Sequence, residues 1–224
     1  MTQSKQELSL NDPSLLRDAA YINGNWVSAA TQFAVSNPSN HALLATVPNL
    51  GEAETQTAIA AAQSAFPAWS AKTGKERAHI LRKWFDLMIV HADDLATIMT
   101  AEQGKPLAEA KGEVIYGASF LEWFAEEAKR VSGDVMASTW SDKRMVVLRQ
   151  PIGVCAAITP WNFPIAMITR KVAPAIAAGC TIVIKPAEQT PLSALALAEL
   201  AQRAGIPAGV INVITADSEQ SVAV

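Results

Sequence analysis

Residues 153–186 read "GVCAAITPWNFPIAMITRKVAPAIAAGCTIVIKP". Two short, continuous apolar runs, "GVCAAITP" and "CTIVIKP", enclose the segment "IAMITRKVAPAIAAG", whose apolar residues recur at helical spacing. Such runs suit strands buried on both faces. Downstream, "PLSALALAELAQRAG" reads as a second helix and "VINVIT" as a third strand. Strand, helix, strand, helix, strand predicts an α/β fold of Rossmann type, a parallel sheet covered by helices that make right-handed crossovers.

In an open parallel sheet, ligands bind beyond the carboxyl ends of the strands. The residues to read are therefore Thr159, Pro160, Trp161, Asn162 and Phe163 after the first run, and Lys185, Pro186, Ala187, Glu188 and Gln189 after the second. Asn162 stands between two aromatics and two prolines, and two readings of it stand side by side. It is a turn residue whose carboxamide ties its own loop together, or it is a pre-positioned N–H donor for a developing alkoxide. Lys185 and Glu188 divide in the same way, into a surface ion pair or a cation and a carboxylate that hold the two hydroxyls of a nucleotide ribose. The dinucleotide fingerprint Gly-x-Gly-x-x-Gly and the Gly-Lys-Ser/Thr phosphate loop are both absent.

Ahead of residue 151 the pattern is different. "YINGNWV" (21–27) has an Asn-Gly turn signal, and residues 20–48 read as small antiparallel strands. From Glu52 a helix follows with Ala58, Ile59, Ala62 and Phe66 on one face, ended by Pro67. Thr73 and Glu76 make a capping box for a second helix, whose apolar side is Ile80, Leu81, Trp84, Phe85 and Met88. "HADD" (91–94) reads as the solvated start of a third, stopped by Gly104 and Pro106. A fourth is expected from about Leu107 to Val131, with Phe120, Leu121, Phe124 and Ala128 as its buried stripe. "SGDVMASTWSDKRMVVLRQP" (132–151) is a hairpin candidate whose exposed strands call for a partner, so association of copies through this arm is expected. The domain division is then 1–131 for amino-terminal strands and helices, 132–150 for the hairpin, and 151–224 for the first part of the parallel core.

Composition limits the function. Of 224 residues, 50% are hydrophobic; 18 basic side chains face 21 acidic ones, a formal charge of −3 without long runs of either sign. Nucleic acid and anionic membrane are not expected partners, and a small ligand is. The longest uncharged stretch, 150–169, is broken by three prolines, a glycine and an asparagine, so no membrane span is expected. Cys155 and Cys180 lie in apolar surroundings and read as inert buried thiols; with no secretory apolar core at the start, a cytoplasmic location is expected. His41, His79 and His91 have no metal-ligand spacing.

"YINGNWV", "EQGKP" (102–106), "ITPWNFP" (158–164) and the run 170–215 together resemble the aldehyde dehydrogenase superfamily along nearly the whole chain. Within it, "KGEVIYGASFLEWFAEEAKRVSGD" (111–134), "AMITRK" (166–171) and "AAGC" (177–180) are most similar to the succinate-semialdehyde dehydrogenase branch, whose near relatives oxidise glutarate semialdehyde. The resemblance implies NAD(P)-dependent oxidation of an aldehyde with a distal carboxylate. It implies that Asn162 is the side-chain half of an oxyanion hole, that Thr159, Pro160, Trp161 and Asn162 border the coenzyme, and that Lys185 and Glu188 hold the adenosine ribose. A carboxylate at 188 favours a free ribose diol and so NAD over NADP. Arg170 matches an arginine that pairs with the distal carboxylate, with an exposed helix arginine as the competing reading. The family's Gly-Ser-Thr-x-x-Gly turn, general-base glutamate and nucleophilic cysteine have no match in the sequence. The chain is therefore expected to be an amino-terminal portion, ending after a third strand whose sheet edge is unprotected and inactive alone. A broad-range aldehyde dehydrogenase and a short, non-catalytic nucleotide-binding paralogue are the alternatives.

Overall fold

The computed structural model describes residues 6–217. The first residues of "MTQSKQELSL" and the last seven of "ADSEQSVAV" lie outside the described residues. Nine strands and six α-helices follow one another there, with two short 3-10 turns.

The order begins with two hairpins, β1 (Ala20–Ile22) with β2 (Asn25–Val27) and β3 (Gln32–Ser36) with β4 (Leu43–Pro48). Asn23 and Gly24 both take positive φ, 51° and 78°, the tight turn that Asn-Gly favours. Four helices follow: α1 (Glu52–Ser70), α2 (Gly74–Val90), α3 (Ala92–Gln103) and α4 (Leu107–Glu127). An exposed hairpin, β5 (Asp134–Met136) with β6 (Met145–Val147), leads to β7 (Val154–Ile158), α5 (Ala166–Ala178), β8 (Thr181–Lys185), α6 (Pro191–Ala204) and β9 (Ile211–Val213).

The main sheet runs β2-β1-β9-β8-β7. Strands β7, β8 and β9 are parallel, as the apolar runs predict, and β1 closes on β9 antiparallel through Tyr21 and Val213. The pleat sorts side chains to two faces. Val183 and Ile214 meet Ala58 and Ala62 of α1, while Ile182 and Ile184 join the larger core with α2, α4, α5 and α6. Thr181 Oγ1 donates to the Ala62 carbonyl at 3.0 Å, tying α1 to its face of the sheet.

Several expectations are corrected. Pro67 does not stop α1, which continues to Ser70. The Trp69 indole, 1% exposed, donates to the Ile176 carbonyl at 3.1 Å, so a tertiary bond holds the last turn in place. The carbonyl that the proline leaves unserved belongs to Gln63, on the exposed face. Asp94 is not solvated: it is 3% exposed and accepts the Asn11 and Asp12 amides at 2.7 and 3.0 Å. Helix α4 ends at Glu127, followed by a 3-10 turn, Ala128–Arg130. Its buried stripe is mostly small, Ala110, Val114, Gly117, Ala118, Leu121 and Ala125, with Phe120 and Phe124 half-buried at the flank. The cause is close approach of α5, since a Cβ on Gly117 would lie 2.7 Å from Ile165 Cγ2.

The third parallel strand, β9, is not an edge, because β1 covers it. Among the described residues the sheet ends at β2 and β7, and β7 is not buried on both faces, contrary to what its apolar run predicts: Ile158 is 73% exposed. Among the described residues no helix is long and apolar enough to cross a membrane.

Candidate functional site

Strands β7 and β8 run side by side until Ile158 lies opposite Lys185, and the Thr159 amide donates to the Lys185 carbonyl at 3.1 Å. This places the two loops next to each other at the carboxyl rim. Thr159 is buried at 5%, Pro160 to Phe163 are exposed, and the chain is buried again from Pro164 into α5. The rim thus presents Trp161, Asn162 and Phe163 on a short arch with both ends embedded.

Among the described residues the Asn162 carboxamide makes no hydrogen bond, so no self-tied loop is formed. Its backbone is held instead. The Asn162 carbonyl accepts from Lys105 Nζ at 3.2 Å, and the same ammonium lies 4.5 Å from the centre of the Phe163 ring. Lys105 also donates to Glu113 Oε2 in a pair whose side chains are 11% and 2% exposed. Glu113 Oε1 accepts the Ile165 and Ala166 amides at 3.0 and 3.2 Å, serving the otherwise orphaned donors at the start of α5. Neither Lys105 nor Glu113 is singled out by the sequence. The only signal is "EQGKP" itself, where Gly104 takes a φ of 90° to end α3 and leaves Lys105 in the short turn to α4.

On the second loop, Lys185 is half-buried and its pKa is lowered, first by burial, against the raising effect of the Glu188 and Asp217 charges. Lys185 and Glu188 attract each other without forming a close ion pair, so the surface-pair reading does not hold. Glu188 Oε1 accepts from Gln189 at 3.1 Å, whereas Oε2 is buried with no hydrogen-bond partner among the described residues. An orphaned carboxylate oxygen near an ammonium fits a hydroxyl-bearing ligand, because a hydroxyl can donate to one and accept from the other. The two groups line different hollows. Lys185 borders one of 310 Å³ with Ile158 and Ile59, and Glu188 borders one of 480 Å³ with Ser36 and Glu102.

Glu102, 3% exposed, accepts the Leu192 and Ser193 amides, each at 2.7 Å, and so caps α6 from α3. Burial pushes its carboxyl up to about 7 against the lowering effect of those bonds. Arg170 lies apart from this group, exposed on α5, its guanidinium 5.7 Å from the Phe120 ring centre. Phe120 is in turn met edge-on by Tyr116 at 5.0 Å. Cys155 has a pKa pushed up to about 11 by burial and by the neighbouring Cys180, which suits a passive thiol.

The aldehyde dehydrogenase family model matches residues 26–224. The chain is 63% identical over 210 residues to the succinate-semialdehyde dehydrogenase [NADP(+)] of Escherichia coli K12, covering 93% of this chain and 44% of that protein. It is 62% identical, with the same coverage, to the glutarate-semialdehyde dehydrogenase of Pseudomonas putida. The crystal structure of succinate-semialdehyde dehydrogenase from Burkholderia pseudomallei superimposes with a TM-score of 0.93 at 61% identity, over 95% of this chain and 44% of that one. The chain therefore spans less than half the length of the relatives it matches. With its parallel core, its rim loops and this match over nearly all of its length, the chain belongs to the aldehyde dehydrogenase family.

Proposed function

We propose that this chain contributes to the NAD(P)-dependent oxidation of a dicarboxylic semialdehyde, succinate semialdehyde first, by a complete enzyme of which it forms the amino-terminal portion. The observation that carries the reading is the Asn162 carboxamide, exposed at the strand-end rim and, among the described residues, free of intramolecular hydrogen bonds on a loop fixed from behind. When a thiolate adds to the aldehyde carbon, negative charge develops on the carbonyl oxygen. A fixed amide N–H aimed at that oxygen stabilises the transition state more than the ground state.

A nicotinamide coenzyme bound at this rim would supply the hydride acceptor for oxidation of the aldehyde carbon. Lys185 and Glu188 hold its ribose hydroxyls, Glu188 through the oxygen that has no partner among the described residues, and Thr159, Pro160 and Trp161 border it. The carboxylate favours NAD, although the Escherichia coli relative is named as an NADP enzyme. Arg170 takes the distal carboxylate of the substrate, its planar cation resting over Phe120. The near-equal identities to succinate- and glutarate-semialdehyde enzymes support a carboxylate-bearing aldehyde as the class. Copies associate through the β5–β6 arm in the cytoplasm. The divisions 1–131, 132–150 and 151–224 describe the parts in this scheme.

Two substitutions in the complete enzyme test it. Asn162→Ala should lower kcat about 10²- to 10³-fold, the usual cost of one oxyanion donor; a kcat within twofold of the parent, read as NADH formation from succinate semialdehyde, would refute the assignment. Glu188→Ser should shift coenzyme preference toward NADP, measured as the ratio of kcat/KM for the two. An unchanged ratio would remove Glu188 from the specificity account.

A further inference from the structure

We propose that Lys105 and Glu113 are a positioning pair for Asn162. This rests on the reading of Asn162 as the oxyanion donor, and it adds two residues that no feature of the strand-end loops would pick out.

One carboxylate controls both ends of the segment 162–166. Glu113 Oε1 takes the Ile165 and Ala166 amides, which fixes where α5 begins, and Oε2 takes Lys105 Nζ. The ammonium carries the constraint forward to the Asn162 carbonyl at 3.2 Å and to the face of the Phe163 ring at 4.5 Å. The Asn162 side chain leaves the backbone beside the held carbonyl, so fixing that carbonyl narrows the directions in which the carboxamide can point. Packing of α4 on α5 at Gly117 and Ile165 already joins the two helices. The lysine therefore adds little to helix packing and a specific restraint to the loop. The charges suit this task. Glu113 is 4% exposed and needs a counter-charge, and Lys105 can supply it while keeping N–H donors for the carbonyl. Misplacement of a catalytic group by about 1 Å can cost about 10²-fold in rate.

The first test uses the 224-residue chain and hydrogen–deuterium exchange. Lys105→Met should speed exchange of the amides in 161–167 and leave those of β8 unchanged, while Lys105→Arg should restore most of the protection. Glu113→Gln keeps an acceptor for the two α5 amides but discharges the pair, and it should loosen the same segment even if Lys105→Met folds poorly. Exchange in 161–167 equal to the parent in a folded variant of either residue overturns the proposal. The second test is a double-mutant cycle in the complete enzyme. Lys105→Met should lower kcat roughly tenfold or more with little change in KM, and should cost less than about twofold when Asn162 is already alanine. Equal losses on both backgrounds would mean a general structural role and also overturn the proposal. If Asn162→Ala leaves kcat intact while Lys105→Met still loosens 161–167, the pair holds the loop as proposed and the oxyanion reading alone fails.

Discussion

Strands β8 and β6 have similarly apolar sequences, "TIVIK" and "MVV", and opposite fates. In β8 every residue but the last is buried, with β7 and β9 on its flanks and helices on both faces. All of β6 is exposed, Val146 at 62%, and its one strand neighbour among the described residues is β5. Val135 and Leu148, each 76% exposed, extend the same uncovered surface. Apolar β-rich sequence therefore specifies a strand in both places, and the cover around it decides whether the strand carries stability within the chain. The arm's apolar residues have no cover among the described residues, which is what association through the arm would supply.

The contrast can be broken most forcefully at Ile182, 1% exposed in the centre of the sheet. Ile182→Ala should destabilise the chain by about 2–5 kcal/mol, read from the urea midpoint; a loss below about 1 kcal/mol would mean the sheet core is loosely packed.

Glu102 offers a smaller and conditional effect within the buried half. Its carboxyl is raised from 4.5 to about 7, chiefly by burial, so between those values the folded chain holds a proton that the unfolded chain has released. Its contribution to stability is full below about pH 4.5 and is lost as the pH rises through about 7, roughly 3 kcal/mol in all. Glu102→Gln should flatten that part of the stability–pH curve. Identical slopes for parent and variant would show that the two α6 amides outweigh burial and keep the carboxylate ionised.

The smallest change in folding stability is expected in the arm. Val146→Lys should alter unfolding of the isolated chain by no more than about 0.5 kcal/mol, yet reduce self-association in sedimentation velocity. A large loss of stability without a change in association would reverse the roles assigned to the two regions.

The same distinction explains which features were legible in the sequence. The Asn23–Gly24 turn and the Thr73–Glu76 box are settled by neighbours in the chain, and both form as expected. The parallel order of β7, β8 and β9 was likewise readable from the strand and helix periods. Pro67 was misread because the bond that holds the last turn of α1 comes from Ile176. Asp94 was misread because its partners are Asn11 and Asp12, and α4 because the glycine that sets its packing distance is met by α5. At the site, Asn162, Lys185 and Glu188 draw attention by their places at strand ends, while the roles proposed for them come from the family resemblance. Lys105 and Glu113 reach the same rim from elements far away in sequence, and spacing alone gives them no signature.

The clasp of β1 on β9 sets a schedule for the ribosome. Tyr21 meets Trp26 of β2 at once, but its other edge has no strand to close on until Val213 has been made, and at about 5–20 residues per second that is a delay of roughly 10 to 40 s. Throughout that interval the amino-terminal hairpin has a free edge and an apolar residue, Ile22, without its final packing, so a nascent chain of this design is vulnerable to chaperone capture or mispairing from its first strand onward.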